Sequence, residues 1–299
     1  MQSINEEKRG VYLHLGAHRT GTGSFQEFLS MNAGRLEDHG VNLAVSNRDG
    51  QLRSGLKLRL PGKRHFRKND LDEHRVWLDE QIDKTGLNRK RLTLVSEENF
   101  PGTINTLMSP EIYPIADKRL QFFASKMQKP IRKALFVVRS YDSFFESIFR
   151  KRVEFRAIDP FDHYRDDMMT MKRGWVDVIQ DIRDATKVDQ VHVLRFEDRH
   201  GYLRLLRTLL PGLPQDGWLE PDGHRNVSAT NAACRAIQKA FHNGEKLSKQ
   251  QIEDIKLQYA ADKGGEAVAD FSSLDRTELQ DRYAEDLQTI RNLPYVTFS

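Results

Sequence analysis

The sequence predicts an α/β protein, a doubly wound parallel sheet with helices on both faces. Three observations predict it. Short apolar runs bounded by turn residues recur at Val11–Leu15, Val41–Val45, Leu92–Val95, Ala134–Val138 and Val191–Leu194. These runs are apolar on both faces, as buried parallel strands are, rather than alternating. Stretches with helical spacing separate them: Ser24–Leu36 after the first run, Val76–Ile82 before the third, Tyr141–Val153 after the fourth, and Trp175–Ile182 and Tyr202–Leu210 on either side of the fifth. From about Thr230 the chain reads as mostly helical, interrupted at Gly264–Gly265. One domain over residues 1–299, with a helical C-terminal annex over 230–299, is therefore expected.

Composition narrows the function classes. The 299 residues carry 47 Lys and Arg against 43 Asp and Glu, a net charge of +4. That excess suits an anionic ligand without demanding nucleic acid. Cys234 is the sole cysteine, which excludes an intramolecular disulfide and a cysteine-based zinc site. No apolar run reaches the ~18–20 residues that span a bilayer. Met1–Gly10 is polar and has no leader-like apolar core. A cytoplasmic protein without a membrane span is the expectation.

The first run leads into Gly16-Ala-His-Arg-Thr-Gly-Thr-Gly-Ser24, a Gly/Thr-rich turn that opens a helix near Thr22. Successive backbone N–H groups in such a turn, backed by a helix N-terminus, form an anion nest. Thr20, Thr22 and Ser24 add hydroxyl donors and Arg19 adds a full charge. A turn that merely connects strand to helix needs neither, so phosphate binding is the stronger reading. The Gly16-x-x-x-x-Gly21 spacing is that of a Walker A loop, but Thr22 stands where the lysine should follow. His14 and His18, on a strand and its loop, would not share a face, so no zinc pair is expected. His14 is read as a satisfied sheet residue and His18 as a residue lining the cleft.

Further along, Arg53–Lys68 carries seven cations and no acidic residue around Pro61-Gly62. A solvated, mobile loop is the plain reading, and a positive rim beside a ligand cleft the sharper one. The third run ends in Ser96-Glu97-Glu98-Asn99. Successive side chains of an extended segment alternate, so one carboxylate faces the cleft and the other does not. Capping of a following turn is the plain alternative. Arg139 sits where the fourth run emerges, with Asp142 or Ser143 as N-cap of the next helix and Ser147 about two turns in. Ligands of open α/β sheets bind outside the carboxyl ends of the strands, so Arg139 and Ser147 could clasp one phosphate. An Arg paired with a surface carboxylate is the equal alternative there. Arg150-Lys151-Arg152 reads as a solvated helix end, Glu197-Asp198 as a strand-closing cap, and Trp218 as packing rather than an adenine platform.

Together, Gly16–Phe25 and Arg139…Ser147 resemble the sulfotransferases that use 3′-phosphoadenosine 5′-phosphosulfate (PAPS), a P-loop-NTPase-like fold. The loop His18-Arg-Thr-Gly-Thr-Gly-Ser24 is similar to the His-Lys-Thr-Gly-Thr-Thr-Ser type of bacterial members. Leu94–Phe100, Val193–Asp198 and His224-Arg-Asn-Val-Ser228 resemble later family segments in the expected order. The resemblance implies that Arg19, Thr20, Gly21, Thr22, Gly23 and Ser24 hold the 5′-phosphosulfate, that Arg139, Ser147 and Arg225 hold the 3′-phosphate, and that Glu98, with Glu97 second, is the base. Arg19 also becomes the stabiliser of the leaving phosphate. It implies PAPS as sulfuryl donor, no metal, and an acceptor hydroxyl or amine. The basic segment hints at an anionic small molecule, glycan or lipid head group. Arg19 replaces the family's lysine and Gly23 a hydroxyl residue, departures that bear on efficiency more than on binding. Two other classes compete: a P-loop phosphotransferase, against which the missing lysine counts, and a non-enzymatic polyanion binder resting on Arg53–Lys68.

Overall fold

The computed structural model describes residues 9–46, 55–198, 201–221, 229–262 and 264–298. Six strands, β1 (Gly10–His14), β2 (Val41–Val45), β3 (Leu92–Ser96), β4 (Ile131–Val138), β5 (Gln190–Arg195) and β6 (Val296–Phe298), form one sheet in the order β2-β3-β1-β4-β5-β6. Every pairing is parallel. The β1-to-β2 connection runs to one side of β1 and β4 lies on the other. The chain thus switches direction between β1 and β4, the place where open α/β sheets leave a crevice.

Strand periodicity divides the core. Tyr12, Leu94, Leu135 and Val137 face one layer, built on Phe25, Phe28 and Leu29 of α1 (Thr22–Met31), Leu36 of α2 (Ala33–Asp38) and Leu205, Leu206 and Leu209 of α9 (Tyr202–Leu209). Leu13, Val95, Phe136 and Val138 face the other. There α4 (Asp72–Thr85), α5 (Ala116–Ala124), α6 (Tyr141–Val153) and α8 (Trp175–Thr186) pack, with Trp175 fully buried. The short helices α3 (Lys63–Lys68) and α7 (Asp162–Met169) lie in the connections. No helix among the described residues is long and apolar enough to cross a membrane.

Three expectations are corrected. The stretch 24–36 is two helices, because Asn32 turns its side chain back: Nδ2 donates to Phe28 O at 2.8 Å and to Leu219 O at 2.8 Å. The C-terminal region is not an annex. Its helices α10 (Asn231–His242), α11 (Lys249–Gln258) and α12 (Ser273–Arg291) lead into β6, which pairs with β5, and α12 packs on α6 and α8. The N-cap of α6 is Ser140, not Asp142 or Ser143.

Candidate functional site

The crevice is lined by the β1–α1 loop, the ends of β3 and β4, and the first turns of α6. The loop starts in register with β4: Leu15 N–H donates to Leu135 O at 3.0 Å and Ala17 N–H to Val137 O at 3.3 Å. Gly16 (φ 40°) and Gly21 (φ 81°) then take left-handed conformations. A Cβ on Gly16 would lie 2.3 Å from Thr22 Oγ1, so only glycine lets the loop fold over that hydroxyl.

Gly21 caps α1 without any side-chain hydrogen bond. By helix geometry the amides of Thr22, Gly23 and Ser24 have no intrahelical acceptor. Thr22 is 2% exposed, and its Oγ1 is buried with no hydrogen-bond partner among the described residues. Thr20 differs: its hydroxyl donates inward to Ala17 O at 2.6 Å and braces the turn. An uncapped helix end with free amides is the arrangement that suits an acceptor-rich anion.

Two arginines close the crevice. Arg19 Nε donates to Ser147 Oγ at 2.9 Å, while Arg139 Nη1 donates to the Arg19 carbonyl at 2.9 Å. Arg139 Nε donates to Ser143 Oγ at 2.9 Å, and its guanidinium lies over the Phe196 ring at 4.5 Å. Burial lowers the pKa of both arginines. For Arg139 the neighbouring Arg19 charge lowers it further, and for Arg19 the carboxylates Glu154 and Glu98 push back up. Two desolvated like charges this close are stabilised by an anion placed between them.

The Arg139–Ser147 clasp is thus revised. Arg139 binds Ser143, and Ser147 binds Arg19, so each arginine brings its own hydroxyl of α6 to the crevice. Ser147 accepts from Arg19, which leaves its own O–H to donate. Ser143 was missed as a site residue, although its spacing from Arg139 on the first turn of α6 offered the signal. Arg225, with His224–Ser228, lies outside the described residues.

At the end of β3 the two carboxylates diverge. Glu97 is 2% exposed and accepts from Asn99 N at 2.9 Å and Asn99 Nδ2 at 2.6 Å. Glu98 is half-buried, and its charge reaches Arg19 and Tyr113. Of the pair, Glu98 faces the crevice.

His18 ties this strand end to the loop. Its backbone N–H donates to Tyr113 Oη at 3.0 Å, Tyr113 O–H meets Nδ1 at 2.8 Å, and Nε2 meets Asn99 Oδ1 at 3.2 Å. Because Asn99 Nδ2 donates to Glu97, its Oδ1 must accept. A neutral His18 therefore carries its proton on Nε2 and accepts from Tyr113 at Nδ1. Burial pushes the Tyr113 phenol far up, so it stays a donor. His14 is satisfied in the sheet, Nδ1 lying 2.8 Å from Ser96 Oγ.

Sequence reasoning missed Arg119. It is 4% exposed, and four carbonyls accept its hydrogen bonds: Phe100 at 3.1 Å, Leu60 at 3.0 Å, Pro61 at 2.8 Å and Asn99 at 2.6 Å. This guanidinium latches the basic segment beside Glu98. The described part of that segment is accordingly no loose loop. Leu56 is fully buried, Arg59 stacks 4.1 Å over Trp77, and α3 follows. Lys57, Arg59, Lys63, Arg64, Arg67 and Lys68 are exposed and make no ion pair among the described residues.

Nor is 150–152 a solvated helix end. Arg150 donates to Asn231 Oδ1 at 2.5 Å and to Ala229 O, and Arg152 is buried. Glu197 and Asp198 act structurally, Glu197 accepting from Ser140 N at 3.1 Å and Asp198 pairing with Arg195 at 2.7 Å. Trp218 packs, its Nε1 donating to Pro214 O at 3.0 Å under Arg35. No group of three or more His, Cys, Asp or Glu among the described residues is placed to hold a metal. No protein-family model matches this chain, and no curated protein matches it.

Proposed function

We propose that this protein is a sulfotransferase of the PAPS-dependent kind, moving a sulfuryl group to a hydroxyl or amine. One observation carries the reading. The buried, unpartnered Thr22 hydroxyl stands at an uncapped helix N-terminus, in the same crevice as Arg19, Arg139 and Ser147. Donors of that number from two strand ends fit a ligand with two separate anionic groups better than a single phosphate. The Thr22–Ser24 amides with Arg19 would hold the 5′-phosphosulfate, and Arg139 with Ser147 the 3′-phosphate, while Ser143, whose own proton goes to Ser140 O at 3.1 Å, orients the Arg139 guanidinium.

PAPS, when bound, supplies a sulfuryl group on a phosphate leaving group. The chain contributes position, charge and a base. Arg19 and the α1 amides stabilise the charge that grows on the leaving oxygen. Glu98, the carboxylate facing the crevice, takes the proton from the acceptor hydroxyl or amine. His18, Asn99 and Glu97 form a hydrogen-bonded chain that fixes the backbone on either side of Glu98. The cationic segment 57–68, latched by Arg119, makes an anionic glycan or lipid head group the acceptor that fits.

Thermal-shift titration tests the reading. Adenosine 3′,5′-bisphosphate should raise Tm, by the equivalent of ~2.7 kcal/mol at about 100 times its dissociation constant, while ADP and Mg-ATP do little. A response to Mg-ATP alone would instead make the protein a phosphotransferase, despite Thr22 at the lysine position. No response to any nucleotide would leave polyanion binding by the basic segment.

A further inference from the structure

Helix α6 ends in Arg150-Lys151-Arg152, and the last of these has an unusual environment. Arg152 is 7% exposed. A guanidinium removed from water is strongly disfavoured unless an anion or a full set of hydrogen-bond acceptors accompanies it. Other sheltered arginines are matched by acceptors: Arg119 by four backbone carbonyls, Arg173 by Asp181, and Arg276 by Asp142 at 3.1 Å and Glu146 at 2.8 Å.

Arg152 has no such partner among the described residues. Its Nη1 points at the thioether of Met108 at 3.3 Å, its Cζ lies 5.5 Å from the Tyr164 ring, and its Nε is buried without a hydrogen bond. Neither neighbouring carboxylate pairs with it. Glu154 binds Lys151 at 2.6 Å, and the exposed Asp159 lies 3.8 Å from His163. Burial lowers the Arg152 pKa, Tyr164 offsets part of that, and the like charge of Arg156 lowers it further.

This guanidinium lines a cavity of about 330 Å³, together with Arg156, Ile158, Asp159, Tyr164 and His242. Its wall is fixed to α10. Gln238 accepts from Ile158 N at 3.0 Å and donates to Val153 O at 2.9 Å and Arg156 O at 2.8 Å, while His242 Nε2 donates to Ile158 O at 3.2 Å. A pre-formed, partly apolar hollow with convergent charged groups is the usual form of a small-ligand site.

We propose that this cavity is a second anion site, distinct from the β1–α1 loop, that binds an oxyanion group (carboxylate, sulfate or phosphate) between Arg152 and Arg156. The hollow exceeds the size of a bare ion, so a group borne on a small polar molecule fits as well as a free anion. Nothing in the proposal requires the sulfotransferase reading.

Full-length protein is titrated with sodium sulfate, phosphate and glucuronate at constant ionic strength, reading Tm and heats of binding, for wild type and for Arg156→Ala, Arg152→Met and Arg139→Ala. Wild type should show saturable stabilisation. Arg156→Ala, at an exposed position, should weaken anion affinity about tenfold or more. Arg152→Met should raise Tm without anions and lose the part of the response that Arg139→Ala keeps. Arg139→Ala should keep it, separating this cavity from the loop site. Tighter binding of glucuronate than of the inorganic ions assigns the group to a carried carboxylate, and the reverse order assigns a free anion. A response undiminished in Arg156→Ala and Arg152→Met, or abolished by Arg139→Ala, overturns the proposal. Should Arg152→Met not fold, Arg156→Ala decides.

Discussion

Replacing Thr22 by Val should move stability and ligand affinity in opposite directions. The Thr22 hydroxyl is buried and unpartnered in the free protein. An unsatisfied buried hydroxyl costs about 1–3 kcal/mol, and valine replaces it with a methyl of similar shape. The loss of some helix-terminal preference offsets a few tenths of that. A net gain of about 1–2 kcal/mol follows, or roughly 2–8 °C in Tm at about 2–4 °C per kcal/mol for domains somewhat smaller than this one. Removing a hydrogen bond to a charged oxygen costs about 1.5–3 kcal/mol of binding. The dissociation constant for adenosine 3′,5′-bisphosphate should therefore rise about 10- to 100-fold. Denaturant melts of the free protein and calorimetric titration of the variant read the two terms separately. A Thr22→Val protein that is less stable, or that binds the bisphosphate as tightly as wild type, refutes the idea that this hydroxyl waits for a ligand.

Arg139→Ala removes the guanidinium that holds the Arg19 carbonyl, and should weaken bisphosphate binding by about 1.5–3 kcal/mol in the same titration. Glu98→Gln should leave that binding unchanged and lower kcat about 10²- to 10⁴-fold, whereas full activity would move the base elsewhere in the crevice. Arg119→Met leaves four carbonyls without their donor and should destabilise the fold by about 3 kcal/mol or more in urea melts. His192 carries a pH signature. Burial and the nearby Lys133 lower its pKa to about 4, so the unfolded chain binds the proton first as pH falls below the ordinary histidine value of 6.5. Its contribution is thus present above pH 6.5 and lost towards pH 4. Allowing for solvent screening, that is about 2–3 kcal/mol, which a pH series of melts on His192→Gln should show as a flatter slope.

The five expected strands match β1 to β5 closely because a strand buried on both faces leaves an uninterrupted apolar signature. Val296–Phe298 left none: three residues after a proline are too short for periodicity, and only the open edge of β5 makes them a strand. The anion loop was legible from its glycines and hydroxyls, since local backbone chemistry dictates it. What joins it to the rest was not. Tyr113 meets His18 across 95 residues, and Arg119 satisfies backbone carbonyls that no sequence pattern marks. Arg152 was misread for a general reason: a cation in the last turn of a helix is favoured by the helix dipole, so its sequence position gives no hint of burial. Glu98 was separable from Glu97 by strand alternation, but which of them faced inward depended on Arg119 and Asn99.

Backbone strain marks the same crevice independently. Four non-glycine residues among those described have positive φ, and two of them, Asn69 and Lys187, end helices, where the left-handed conformation is ordinary. The other two are Arg19 (φ 62°) and Tyr113 (φ 51°), and both are bound up with His18. Each such conformation costs of order 1–3 kcal/mol and persists only when its surroundings over-determine it. At Arg19 the strained turn sends the carbonyl to Arg139 and the guanidinium to Ser147 in one step. At Tyr113 it lets a fully buried phenol brace the loop's histidine while Gly102, whose Cβ would fall 2.6 Å from the ring, leaves room. The orphaned Thr22 hydroxyl, the pair of desolvated arginines and the two strained residues all raise the energy of the free protein at one place. An anion placed there would offset the repulsion between the arginines, while the strained turns hold its donors in place beforehand, and that coincidence argues for a binding site more strongly than any one of them alone.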